Sequence, residues 1–181
     1  MRTALLSLVT VAACSTAGGS ASTSARPDPT VRVMGVGGGA SLTMAASDPS
    51  TSHALPFSVQ QVWLALPSAF DELGVPVQTR DPVKHRIGNE GFTAHHRLNK
   101  VPLSRYIDCG SSQLGQNADD YDVRLSFTAQ ATPGKGDTTN LITTIDAAAR
   151  PATYAQDYSQ CSSKGSLEAR LIELVKAKLA R

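Results

Sequence analysis

The sequence predicts an α+β fold in which an antiparallel sheet is covered on one face by two helices, with a disordered tether ahead of it. Three observations predict it. Apolar residues recur at three- and four-residue spacing from Ser58 to Gly74 and again from Ser166 to Ala180, the period of a helix with one buried face. Between Tyr121 and Ala129 they recur at every second position instead, as in a strand with one wet face. The length, 181 residues, with 41 % hydrophobic and 18 % charged, fits one modest domain.

At the N-terminus, Met1-Arg2-Thr3 is followed by apolar or small residues from Ala4 to Ala13. That is the length of a signal-peptide core and too short to span a bilayer. The stretch closes on Val11-Ala12-Ala13-Cys14, which resembles the lipobox of bacterial lipoproteins: an aliphatic residue three before the cysteine, then two small ones. The resemblance implies that residues 1–13 are removed as a signal peptide, that the Cys14 thiol is diacylated and that the new amino terminus is acylated with a chain such as palmitate. Two or more acyl chains anchor stably, so the partner at this end is the membrane itself. Ser15 follows the cysteine, where an Asp is absent, and this resembles the pattern sent to the outer membrane. In a Gram-negative cell the domain would then face the periplasm. Residues 14–30, almost wholly Ser, Thr, Ala, Gly and Pro, read as a flexible tether that buries too little apolar area to order itself.

The single domain is expected over 31–181, its compact part from about residue 56. Val31 to Met34 reads as a strand, Gly37-Gly38-Gly39 as a turn and Ser41 to Ala45 as a second extended piece, while Ser47 to Pro56 reads as breakers. The first helix starts at Ser58, with Gln61 completing a capping box and Phe57 placed to staple onto Val62. Val59, Val62, Trp63, Leu66, Phe70 and Leu73 share its apolar face, and Gly74 ends it. Pro67 is expected to kink or split it near Ala65.

Val75, Val77 and Thr79 then alternate with Pro76 and Gln78, the proline suggesting a strand beginning or an edge, and Asp81-Pro82 turns the chain. Val83 to Ile87 and Phe92 to Leu98 read as two weak strands separated by Gly88-Asn89-Glu90-Gly91. Asn99 to Asn117 is irregular. The strand from Tyr121 to Ala129 turns at Pro133 to Asp137 and pairs with Thr139 to Ala147. In the last helix Leu167, Leu171, Leu174, Val175 and Leu179 form the apolar stripe, with Glu168 near its start and Lys176, Lys178 and Arg181 near its end, as the helix dipole prefers.

Three thiols in an exported chain leave one unpaired unless one is consumed otherwise. Acylation of Cys14 leaves Cys109 and Cys161, which are expected to pair in an oxidising compartment. Closing that loop is worth roughly 4 kcal/mol as an upper figure. With no CxxC, the pair is poor evidence for zinc.

Charge excludes one class of partner. With 17 basic and 15 acidic side chains, net +2 and no basic run, the chain lacks the field that holds nucleic acid. Gly35 to Ala40 has the letters of a dinucleotide-binding turn, but Pro49 and Pro56 interrupt the helix that such a turn requires, so no nucleotide is expected. His95 and His96, with His85, could be drawn as metal ligands, yet neighbours on a strand point to opposite faces. Asp119, Asp120 and Asp122 lack the glycine and the closing Glu of a calcium loop. No GxSxG elbow is present, and Cys109, beside Asp108, is claimed by the disulfide. No catalytic residue, metal or cofactor is therefore expected.

Val62-Trp63-Leu64-Ala65-Leu66-Pro67 followed by Leu73-Gly74-Val75-Pro76-Val77 resembles the opening of the helix-grip domains of BamC-type outer-membrane lipoproteins. The resemblance implies a helix presenting Trp63 inward, a short turn at Gly74 and a curved antiparallel sheet gripping the C-terminal helix. It carries over no site residues. The expectation is a lipid-anchored, non-catalytic accessory or scaffold module of the cell envelope, with envelope proteins as partners. The alternatives are a carrier of lipid or small molecules between sheet and helix, and an uncharacterised envelope enzyme. An apolar cavity of roughly 300 Å³ or more favours the carrier. A sheet face filled by Trp63, Phe70, Leu125 and Phe127 favours the scaffold.

Anchoring is tested by Cys14→Ser, which should release the protein from the membrane fraction and abolish labelling by a palmitate analogue. Unchanged fractionation and labelling would place the anchor elsewhere.

Overall fold

A computed structural model of the chain describes residues 30–32, 43–45, 50–113, 115–153 and 156–180. The expected signal peptide, Cys14, most of the expected tether and the glycine-rich Gly35 to Ala40 lie outside the described residues. The chain divides into two units, Met1–Ala46 and Ser47–Arg181. In the first, β1 (Thr30–Arg32) pairs antiparallel with β2 (Thr43–Ala45), Val31 opposite Met44.

The second unit is mixed α and β, with a mainly antiparallel sheet. Its elements run β3 (Ser50–Leu55), α1 (Val59–Leu73), β4 (Thr79–Asp81), β5 (Arg86–His95), β6 (Arg97–Leu98), β7 (Val101–Pro102), β8 (Ile107–Asp108), β9 (Ser111–Ser112), β10 (Gly115–Gln116), α2 (Asn117–Asp120), β11 (Asp122–Pro133), β12 (Thr139–Arg150), β13 (Ser159–Ser163) and α3 (Ser166–Leu179). The sheet order is β4-β5-β11-β12-β13-β8, and β3 pairs the first half of β12.

The spine of the sheet is the long β11–β12 hairpin, in register from Asp122 opposite Arg150 to Pro133 opposite Thr139. Along β12 burial alternates without a break, Leu141, Thr143, Ile145, Ala147 and Ala149 pointing inward. Val123, Leu125, Phe127, Ala129 and Ala131 answer them from β11. The period-two pattern therefore extends further along both strands than the expected bounds.

α1 has the cap the sequence predicts. Gln61 N donates to Ser58 Oγ, the Gln61 side chain accepts from Ser58 N, and Gly74 ends the helix at φ 76°. Pro67 does not divide it; Val59–Leu73 is one helix. Burial explains the difference, because each of Val62, Leu66, Phe70 and Leu73 gains about 1.5–3 kcal/mol on leaving water. Together they outweigh the ~3 kcal/mol that an interior proline costs. Phe70 stacks on Phe127 with ring centroids 5.4 Å apart, and α1 lies against both β11 and β5. α1 also packs on α3, where Lys178 Nζ meets Glu72 Oε2 at 3.0 Å.

Two local expectations are corrected. Ser47 to Pro56 contains a strand: β3 pairs antiparallel with β12, Leu55 opposite Thr139, and belongs to the compact unit. An edge strand exposed over most of its length carries no apolar alternation to give it away. Gly88 to Gly91 is not a turn between two strands; β5 runs through it with a shift of register against β11 between Leu125 and Phe127. Gly88 has φ 151°, and a Cβ there would lie 2.3 Å from the Phe127 carbonyl oxygen, so only glycine fits this crossing. Asn89 Oδ1 accepts from Gly91 N at 2.9 Å, satisfying an amide the bulge would otherwise leave unpaired.

Trp63 is buried, with the His85 ring edge-on at 5.6 Å and the Arg80 guanidinium 5.3 Å from its centroid. Trp63→Ala should cost about 3–5 kcal/mol in urea denaturation. A loss below about 1 kcal/mol would show that the ring is not a core anchor.

Candidate functional site: a cleft along the open edge of β5

β5 is paired with β11 along most of its length, but β4 covers its other side only at Arg86 to Gly88. The chain ahead of β4 leaves the sheet there. Gln78 N donates to the Gly88 carbonyl at 3.0 Å, and Asn89 Nδ2 donates to the Pro76 carbonyl at 2.9 Å. Val75, expected to start a strand with Val77 and Thr79, is buried in a connection, and the strand begins only at Thr79. Pro76 has no N–H with which to extend the ladder. Beyond Gly88, no strand among the described residues pairs the outer side of β5.

The space left is a cleft of about 530 Å³ whose lining includes Asp71, Val75, Pro76, Phe92, His95 and Arg97. One wall is the end of α1 and the following connection; the other is the β6–β7 hairpin. The walls are bolted together. A Cβ on Gly74 would lie 2.8 Å from Asn99 Cβ, and Asn99 Nδ2 donates to the Glu72 carbonyl. The hairpin is drawn tight: His96, Asn99 and Lys100 all have positive φ, at 58°, 42° and 69°. Backbone in this region is unfavourable for side-chain-bearing residues and persists only where surroundings hold it, often at ligand sites.

The cleft's polar groups differ in their commitments. His95 Nδ1 lies 3.0 Å from Asp122 Oδ1 on the neighbouring strand. Arg97 has no ion-pair partner among the described residues, and Asp71 is the one acid in the lining. Phe92, Val75 and Leu98 make the floor apolar. Such a surface suits binding, with an open strand edge, an apolar floor and one unpaired guanidinium. A smaller cleft of about 310 Å³, with Arg80 and Val77 at its rim, lies on the far side of Pro76. A third of about 450 Å³ lies between α1 and α3, beside the exposed Leu64.

The residues singled out in the sequence take structural places. Cys109 and Cys161 form a disulfide, S–S 2.07 Å, beside the pairing of β8 with β13. Asp119 accepts from Ser104 N at 2.8 Å and from Ser104 Oγ at 2.6 Å, while its carbonyl meets His96 Nδ1. Asp122 pairs with His95, and Asp120 is exposed. His85 turns at φ 48° against Trp63. The three histidines therefore serve three different contacts, and no group of three metal-binding side chains occurs among the described residues.

The stretch read as irregular, Asn99 to Asn117, is well fastened. Lys164 Nζ donates to the Ser104 carbonyl at 2.7 Å and Ser166 Oγ to the Arg105 carbonyl at 2.6 Å. Sequence reasoning missed the cleft, whose one hint was the weak strand expected from Phe92 to Leu98. It also missed Tyr158, which has the Arg124 and Arg150 guanidinium groups each 4.8 Å from its ring. No family model matches this chain, and no curated protein matches it.

Tyr106 sits within the fastened loop, its carbonyl accepting from Lys164 N at 2.9 Å. Burial pushes its hydroxyl above the ordinary value of 10.0, and the Arg170 charge opposes this only in part. A folded value above the unfolded one means that stability is complete below about pH 10 and is lost as pH rises through the folded value. Melting temperature should therefore fall more steeply above about pH 10 in the wild type than in Tyr106→Phe. Identical slopes would show that this hydroxyl does not drive the alkaline loss.

Proposed function

We propose that the chain is an exported, lipid-anchored lipoprotein of the bacterial envelope, whose folded unit is a non-catalytic docking module with a helix-grip-like arrangement. In this reading α1 and α3 cover one face of the sheet, Cys14 carries the acyl chains and envelope proteins are the partners. The lipobox-like Val11 to Cys14 and the Cys109–Cys161 disulfide, a bond at home in oxidising compartments, support export.

One observation favours docking over carriage. Trp63, Phe70, Leu125 and Phe127 are each 5 % exposed or less, and Phe70 lies stacked on Phe127, so aromatic and aliphatic side chains fill the place a carried lipid would need. The clefts of suitable volume are open to the surface. Asp119, one of the acids that could do chemistry, accepts from the Ser104 amide and hydroxyl instead.

Native mass spectrometry of protein extracted from membranes tests the reading. The expected mass is that of an acylated chain beginning at Cys14, with nothing further bound. A stoichiometric lipid or metabolite retained by the folded unit would overturn docking in favour of carriage. An unacylated chain would overturn the anchor.

A further inference from the structure

Resting on the docking reading, we infer that the β5 cleft captures an extended segment of a partner protein by strand addition, the segment alternating apolar residues with at least one acidic one. An antiparallel strand directs every second peptide group toward its neighbour and the others away. With β11 on one side, the segment Phe92–His95 turns its remaining N–H and C=O groups toward the cleft. At ~3.3 Å per residue this edge presents roughly 13 Å of backbone, enough for about four residues of an incoming strand. The sheet already continues on this side as far as Gly88, opposite Thr79, the first residue of β4, so an added strand would prolong the line of β4 past that point.

The lining sets the chemistry of the occupant. Side chains pointing to the floor would meet Val75, Phe92 and Leu98, which select apolar residues. At the hairpin end stands Arg97, exposed and without an ion-pair partner among the described residues, with Lys100 next along the hairpin. An acidic side chain there gains a charge-assisted hydrogen bond. Asp71, on the opposite wall, discourages a second acid at that end. A second copy of this chain is a poorer occupant, because it would have to bring the edge of a whole sheet between the end of α1 and the hairpin. A single extended strand needs only the cleft.

The walls make the edge ready before anything binds. Gly74 against Asn99, Asn99 on the Glu72 carbonyl and Asn89 on the Pro76 carbonyl hold both sides in place. Little ordering remains for the protein on capture, which is where strand addition normally loses affinity.

The test uses the full-length protein in detergent micelles and a phage-displayed library of random seven-residue peptides as the probe. Enriched peptides should carry an acidic residue and β-branched or aromatic residues, without a central proline. Hydrogen exchange with a selected peptide bound should slow at Phe92–His95. Arg97→Glu should weaken its binding about tenfold, whereas Asp71→Asn should leave it unchanged or strengthen it. Both positions are exposed, and unchanged melting of each variant confirms that the fold survives. No enrichment, indifference to Arg97→Glu, or protection confined to another edge such as β3 would overturn the cleft assignment while leaving docking as such standing. Recovery of the peptide cleaved or chemically altered would overturn the docking reading itself.

Discussion

Phe127, in the middle of β11 and beneath Phe70 of α1, is the contact on which the rest of the geometry depends. Stacked rings with centroids 5.4 Å apart fix both the distance and the rotation of α1 over the hairpin, because an offset aromatic pair tolerates little sliding. Once Phe70 is placed, the 3.6-residue period places Leu66 and Trp63 one and two turns back and Leu73 ahead. The helix must then end where Gly74 lies against Asn99, and the α1–β4 connection must run along β5. The wall of the cleft is thus a consequence of core packing several residues away.

The same strand residue governs β5. Gly88 passes so close to the Phe127 carbonyl that a side chain cannot be accommodated, and the register shift follows immediately. A bulge twists and bends its strand, and the second half of β5 lies beyond it, past the three residues that β4 pairs. The edge left without a neighbour begins where that happens. Asn89 and Pro76, joined side chain to backbone, mark the point of departure. The open edge is therefore a product of the bulge and the proline together.

What could be read from the sequence is what depends on local periodicity and on caps. The Ser58–Gln61 box, the Gly74 stop, the alternation from Val123 to Ala129 and the stripe of α3 all have signals within a few residues of the element itself. The signals failed where the deciding partner is distant. β3 exists because β12 offers Thr139 to Thr144 for pairing, and nothing within Ser50 to Leu55 announces it. Gly88 to Gly91 has turn composition, yet Phe127 demands the glycine for close approach, so the composition pointed to the wrong geometry. The disulfide could be argued from cysteine arithmetic, because pairing by elimination needs no geometry. The cleft could not be, since its walls come from the end of one helix, a connection and a hairpin that meet only in the folded chain.

The loop after β7 is held by Asp119 on Ser104, by Lys164 and Ser166 on the carbonyls of Ser104 and Arg105, and by the Cys109–Cys161 bridge. Glu168, buried at the first turn of α3, accepts from Ser163 Oγ at 2.7 Å and brings β13 into the same network. An acidic residue in the first turn of a helix is the placement the helix dipole favours. These fastenings lie beside the β6–β7 hairpin, and His96 joins the two regions through the Asp119 carbonyl and, by its own carbonyl, the Leu103 amide. The strained turn at Asn99 and Lys100 is consequently braced from both ends, by the α1 terminus and by the disulfide-closed loop. A hairpin braced in this way can keep an unpaired strand edge open without collapsing over it, and that is the condition an edge must meet if it is to receive a strand.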